Sequence, residues 1–173
     1  MEQIVLYGKI LFEPKNMTKK HESQASWKHI AMVMFNDDVA NYYAWFLKKR
    51  YSLILNPPMR GGHISFINDK FSDMSKDGLF TKEEILKNWD AVRDKYDKMD
   101  VEVSLYLEPR TNSKHWWLRV TPESSNDLQV IRNEANLGKP NFSFHMSIGY
   151  ANDKNIAHSG YIHTLIKNGL ANN

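Results

Sequence analysis

The sequence predicts an α+β protein in which antiparallel strands are interspersed with helices. Several segments alternate apolar and polar residues with a period of two, and amphipathic helical segments separate them irregularly. Two strand segments, residues 62–67 and 144–149, are nearly alike, which indicates a weak internal repeat. Because 42% of the 173 residues are hydrophobic, we expect one domain spanning residues 1–173 with a substantial core.

Four strands are predicted in the first part of the chain from alternating or clustered apolar residues. They occupy residues 4–12, 28–35, 53–55 and 63–67. In the first strand the apolar residues are mainly even-numbered. We therefore expect that face to pack on the helices and the opposite face to carry Tyr7 and Lys9. The polar stretches at residues 13–26 and 68–80 are expected to be loops.

Helices are predicted where capping residues precede amphipathic segments. Residues 36–38, Asn-Asp-Asp, offer N-cap chemistry to one helix, and Thr81 opens a capping box for another. The predicted helices occupy residues 39–51, 81–99, 122–137 and 155–168. The further predicted strands occupy residues 101–107, 115–120 and 141–150.

Composition and charge narrow the class of protein. The chain has 23 Lys and Arg against 20 Asp and Glu, a net charge of +3. This balance permits a local anion-binding cleft but is weaker than that of a dedicated binder of duplex DNA. The absence of cysteine excludes disulfides and thiol catalysis, and it fits the cytoplasm. No signal peptide or long apolar run is evident, so we expect no membrane association.

The two similar strands each carry a histidine two residues before a serine. The pairs are His63 with Ser65 and His145 with Ser147. Residues i and i+2 of a strand point to the same side, so each pair shares one face. Seven histidines are expected to give on the order of one such triplet by chance, and the triplet at His21, in a polar stretch, is interpreted as that accident. The other two predict one site built from two similar halves.

Two histidines can supply general acid and base catalysis to a phosphodiester. A neutral imidazole removes a proton from the nucleophile, and a protonated one donates to the leaving oxygen. Ser65 and Ser147 would donate hydrogen bonds to the nonbridging oxygens. Neither a metal nor another cofactor is required by this chemistry. The sequence leaves open which histidine is the base and whether a 2′-hydroxyl of the substrate is the nucleophile.

Three other interpretations of the motif are open. The serines could act as nucleophiles, but a serine two residues from its base on one strand is poorly placed, and no Gly-x-Ser-x-Gly elbow occurs. The histidines could bind zinc, but the spacing shows no third ligand. They could also be incidental polar residues on strand faces, although each buried imidazole needs partners for both of its nitrogens.

The doubled motif resembles that of the two-histidine (2H) phosphoesterase superfamily, which includes RNA 2′,3′-cyclic phosphodiesterases, LigT-like proteins and 2′-5′ oligonucleotide phosphodiesterases. His63-Ile64-Ser65 and His145-Met146-Ser147 match its two His-x-Ser/Thr motifs. The resemblance implies two pseudo-symmetric lobes, with antiparallel sheets forming a central cleft and helices packed outside. It also implies metal-independent cleavage of 2′,3′-cyclic phosphate, 2′-5′ or cyclic oligonucleotide linkages. The lysine-rich chain is similar to phage-encoded members that degrade the cyclic nucleotide signals of anti-phage (anti-CBASS) defence in the host cytoplasm.

Strand alternation and proximity to the motifs select candidate substrate-binding residues. Aromatic side chains would stack on bases, and cations would contact phosphate. The candidates are Tyr7, Lys9, Arg60, Tyr106, Trp117, Arg119 and Lys139.

Three classes of function remain open at the level of sequence. The leading one is a phosphodiesterase that acts, as a monomer, on a nucleotide or oligonucleotide. The second is a module of the same fold that binds nucleotide or RNA without cleaving it. The third is a structural or partner-binding protein in which the histidines are incidental.

Overall fold

A single antiparallel sheet, curled into a half-barrel, contains all seven strands formed by the described residues. The structure is a computed structural model that describes residues 2–14, 29–58, 60–69, 82–112 and 114–151. The strands are β1 (Gln3–Phe12), β2 (Ala31–Met34), β3 (His63–Ile67), β4 (Asp100–Tyr106), β5 (Arg110–Thr111), β6 (His115–Arg119) and β7 (His145–Tyr150). Their order is β4-β1-β2-β3-β7-β6-β5, and a bridge between Leu105 and Val120 brings β4 next to the end of β6.

Three helices in the described part of the chain pack on this sheet. They are α1 (Asp38–Tyr51), α2 (Lys82–Tyr96) and α3 (Pro122–Glu134). α1 contacts β7, α2 contacts β1, and α3 contacts β3 and β4, so that one hydrophobic cluster joins all three helices to the strands. Among the described residues, no helix is both long and apolar enough to cross a membrane.

The two faces of the sheet differ as the alternation predicts. In β1, Ile10 and Phe12 are buried in the core, whereas Tyr7 and Lys9 lie on the opposite face. The same division holds in β3 and β7, where Ile64 and Met146 are fully buried. The mixed class of helices and antiparallel strands is therefore confirmed, and the strands form one continuous sheet.

Several predicted boundaries are wrong. The segment at residues 53–55 is not a strand; the chain forms only an isolated bridge there, between Asn56 and Tyr150. β2 begins at Ala31, α3 ends at Glu134, and β7 begins only at the histidine of its motif. Apolar residues in these segments pack against the core without joining a regular element, which propensity alone does not distinguish.

Other predicted features fall on residues that the structure does not describe. These are Thr81, the helix at residues 155–168, and most of the loops at residues 13–26 and 68–80.

Arg132 of α3 is a buried cation that joins the end of β3 to the segment that precedes β7. Its side chain is 1% exposed and forms a bidentate ion pair with Asp69, with N···O distances of 2.6 and 2.9 Å. It also donates to the carbonyl oxygens of Phe66 and Gly138. The segment after β3 and the segment before β7 are thus held by one guanidinium, whose planar fork suits such multiple donation.

Replacing Arg132 with leucine is expected to lower the free energy of unfolding by about 3–5 kcal/mol, because it leaves the Asp69 carboxylate largely buried without its partner. Urea denaturation measures the change. Arg93→Leu is the matched control, since Arg93 pairs with Asp90 and Asp94 at the surface and should cost no more than about 1 kcal/mol. Equal losses in the two variants would contradict the role given to Arg132.

Candidate active site

The two motif strands lie side by side at the centre of the sheet. β3 and β7 are antiparallel neighbours, with Ile64 paired to Met146. In this register His63 lies opposite Ser147 and Ser65 lies opposite His145, because antiparallel partners keep a constant sum of residue numbers. The two His-Ser pairs are therefore related by a local two-fold axis through the central pair, and all four side chains are on the face away from the core.

These four side chains line one polar cavity. It has a volume of about 260 Å³, and Asn68 and Phe142 complete its wall. Both histidines and both serines are half-buried, so their polar atoms reach the cavity while their backbones stay in the sheet. The cavity brings two imidazoles, two hydroxyls and one amide to a common space.

Each imidazole is hydrogen-bonded to the backbone carbonyl two residues before it in the chain. Nδ1 of His63 lies 2.9 Å from the carbonyl oxygen of Gly61, and Nδ1 of His145 lies 2.7 Å from that of Ser143. A carbonyl oxygen only accepts, so Nδ1 carries the hydrogen in both rings. The opposite nitrogen, Nε2, is thereby left for proton transfer in both histidines, with the ring orientation fixed by the backbone.

The surroundings of His63 oppose protonation of its ring. Burial lowers the pKa of His63, and the nearby charges of Arg60 and His145 lower it further, while the hydrogen bond to Gly61 acts in the opposite direction. Burial also lowers the pKa of the Arg60 guanidinium to about 10. These surroundings favour the neutral form of His63.

A tight turn before β3 sets the position of His63. Gly61 has φ of +69°, and its neighbour Gly62 donates its backbone N–H to Oδ1 of Asp37 over 2.6 Å. A Cβ on Gly61 would collide with the Asp37 carboxylate, and one on Gly62 would lie 2.7 Å from the carbonyl oxygen of Asn36. Asp37 stands at the N-cap of α1 but makes no side-chain cap bond; its carboxylate supports the turn instead.

Five of the predicted substrate-binding residues lie beside this cavity. Arg60 lines a cavity of about 560 Å³ that shares His63, Ser65, Asn68 and Ser147 with the central one. Trp117 has its ring centroid 5.8 Å from that of His145. The other three, Tyr106, Arg119 and Lys139, line a third cavity of about 750 Å³, which shares Phe142 with the central one.

The remaining two candidates do not line any of the three cavities. Tyr7 is 77% exposed on β1, and a hydrogen bond with Glu102 raises the pKa of its phenol. Lys9 pairs with Asp100 over 2.6 Å and donates to the carbonyl oxygen of Lys98. Both lie on the same sheet face as the motifs, two strands away from β3.

Several cavity residues were missed by the sequence reasoning. They are Asn68, His115, Phe142 and Tyr150. His115 begins β6, Tyr150 ends β7, and the two residues are paired in the sheet. Only knowledge of the strand order would have placed them together. The dipeptide Gly61-Gly62 was the available signal for a constrained backbone beside His63.

The described residues contain no group of three or more His, Asp or Glu placed to hold a metal ion. In comparisons with known proteins, no protein-family model, no curated protein and no solved structure matches the chain.

The pKa of His63 is expected to lie below the ordinary histidine value of about 6.5 and to rise in Arg60→Gln, because that variant removes one of the charges that lower it. An NMR titration of the histidine ring protons measures both values. Lys139→Gln removes a cation from a different cavity and should leave the titration unchanged. A His63 pKa unaffected by the loss of Arg60 would contradict the electrostatic account.

Proposed function

We propose that this protein is a metal-independent phosphodiesterase of the two-histidine (2H) phosphoesterase class. The observation that supports it best is the pairing of β3 with β7, which places two His-Ser pairs in one cavity. Each imidazole has its Nδ1 bonded to a backbone carbonyl, which leaves Nε2 oriented for proton transfer. The substrate class is RNA 2′,3′-cyclic phosphate, 2′-5′ or cyclic oligonucleotide linkages.

In the proposed mechanism His63 is the base. Its lowered pKa keeps it neutral near pH 7, so its Nε2 takes the proton of the attacking hydroxyl, which belongs to water or to a 2′-hydroxyl of the substrate. His145, in its protonated form, donates from Nε2 to the leaving oxygen. A positive charge on one ring disfavours a positive charge on the other. The pair therefore favours the state in which one imidazole is protonated and the other is neutral, which is the state that acid–base catalysis needs.

The serines act on the phosphate itself. Ser65 and Ser147 are diagonal to each other, each directly opposite one histidine, so a phosphate between the two rings would meet a hydroxyl on each side. Hydrogen bonds to the nonbridging oxygens are strongest when negative charge builds there in the transition state. The amide of Asn68 gives the cavity one further donor.

The proposal extends to the finer architecture and setting. The strands on the two sides of the β3–β7 pair would correspond to the two pseudo-symmetric lobes of the class, with the cleft between them. A phage-encoded enzyme of this kind, acting as a monomer in the host cytoplasm, would remove cyclic nucleotide signals of anti-phage defence.

His63→Ala and His145→Ala are each expected to lower kcat by at least about 100-fold, since general acid–base catalysis contributes factors of this size. Turnover is measured with EDTA present on a panel of 2′,3′-cyclic, 2′-5′ linked and cyclic dinucleotide substrates. His21→Ala is the matched control, because His21 opens the third His-x-Ser triplet and is not assigned to the site. Turnover that requires added metal would contradict the mechanism. Tight binding without turnover would identify a nucleotide-binding module instead.

Asp37→Ala is expected to lower kcat by about 10-fold with little change in KM. Loss of its bond to Gly62 frees the turn whose Gly61 carbonyl orients His63, and small displacements of a catalytic group are costly. Steady-state kinetics and the NMR titration of His63 are the measurements. Asp38→Ala, at the next position, removes a contact with Asn36 and the acidic side chain of the first helical turn, and it serves as the control. Normal kcat and an unchanged His63 titration in Asp37→Ala would show that the turn holds without the carboxylate.

A further inference from the structure

The cavity beside α3 adjoins the central cavity. It measures about 750 Å³ and shares the lining residue Phe142 with the cavity that holds the two His-Ser pairs. The cavity that contains Arg60 measures about 560 Å³ and shares four lining residues with the central cavity, including His63 and Ser147. The central space, at about 260 Å³, is below the roughly 300–1,000 Å³ usual for small-molecule sites, while both flanking spaces are within that range. A ligand centred on the histidines therefore has room for a bulky group on each side.

The wall of the α3 cavity has the chemistry of a base-reading surface. α3 contributes four neutral polar side chains to it: Ser125, Asn126, Gln129 and Asn133. Nε2 of Gln129 donates to Oδ1 of Asn133 over 2.8 Å and to the carbonyl oxygen of Gly138 over 3.4 Å. Within the described residues, Oε1 of Gln129 and Nδ2 of Asn133 have no hydrogen-bond partner. The pair thus offers one acceptor and one donor, the combination that nucleobase edges match.

Cations and rings complete the same wall. The guanidinium of Arg119 stacks over the ring of Tyr106 at 5.1 Å, and Lys139 lines the cavity as well. Phe142 lies where this cavity meets the central one, so a base bound here could stack on it while its phosphate reaches the histidines. Amides for a base, a ring for stacking and cations for phosphate are the parts of a nucleotide subsite.

We infer that the α3 cavity, which lies on the His145 side because its lining residue Arg119 pairs with His145, binds the nucleoside that carries the leaving oxygen and reads its base through Gln129 and Asn133. The substrate is then an oligonucleotide with a nucleoside on each side of the cleaved linkage, not a mononucleotide that ends in a 2′,3′-cyclic phosphate. This inference rests on the proposed phosphodiesterase function and specifies its substrate class.

The experiment compares dinucleoside monophosphates, 2′-5′ and 3′-5′ linked, with nucleoside 2′,3′-cyclic phosphates in the wild type and in Gln129→Ala and Asn133→Ala. We expect a higher kcat/KM for the preferred dinucleoside, reduced about 10-fold in each variant, with little change for the cyclic mononucleotides. Asn41→Ala, on the exposed surface of α1, is the control. Circular dichroism melting checks that the variants remain folded.

Calorimetric binding separates this inference from the function on which it rests. Dinucleoside monophosphates and nucleoside 2′-phosphates are titrated into His145→Ala and into the same variant carrying Gln129→Ala. Weaker binding of the dinucleoside alone supports the subsite even if the wild type cleaves nothing. The subsite is contradicted if the dinucleoside binds both proteins equally. It is also contradicted if every variant cleaves cyclic mononucleotides as efficiently as dinucleosides. Neither result contradicts the phosphodiesterase proposal.

Discussion

The site depends on the antiparallel pairing of β3 with β7. The two motifs are 82 residues apart, and only this pairing makes one site of them. A slip of one residue would turn His63 into the core and bring Ile64 to the cavity, because successive strand residues face opposite sides. The fully buried side chains of Ile64 and Met146 make such a slip unfavourable. The hydrophobic core and the proposed chemistry are therefore set by the same register.

Supports outside the two strands then orient the reactive groups. The turn at Gly61 and Gly62 gives His63 its carbonyl partner, and the Asp37 carboxylate holds that turn. His145 has the same kind of carbonyl partner in Ser143. The two imidazoles thus have the same kind of backbone hydrogen bond, and burial, together with the nearby charge of Arg60, lowers the pKa of His63. Different environments around two residues of the same type can make one of them the acid and the other the base.

Local pattern predicted the strand faces and the grouping of each histidine with its serine, because both follow from a period of two. It could not predict which strands are neighbours, so it missed His115 at the start of β6 and Tyr150 at the end of β7, which pair with each other. It predicted N-cap chemistry from residues 36–38, and Asp37 does stand at the N-cap, but its carboxylate accepts from the backbone N–H of Gly62, 25 residues away. The error at residues 53–55 has a similar origin, since apolar residues next to a sheet need not join it.

Arg132 connects the core to the backbone beside two of the cavities. The same guanidinium binds Phe66 and Asp69, on both sides of Asn68, and Gly138, which precedes Lys139. Asn68 lines the central cavity and Lys139 lines the one beside α3, so the spacing between their backbones is fixed within the folded protein. A ligand that spans both spaces would meet walls already in place, and little of its binding free energy would go into ordering them.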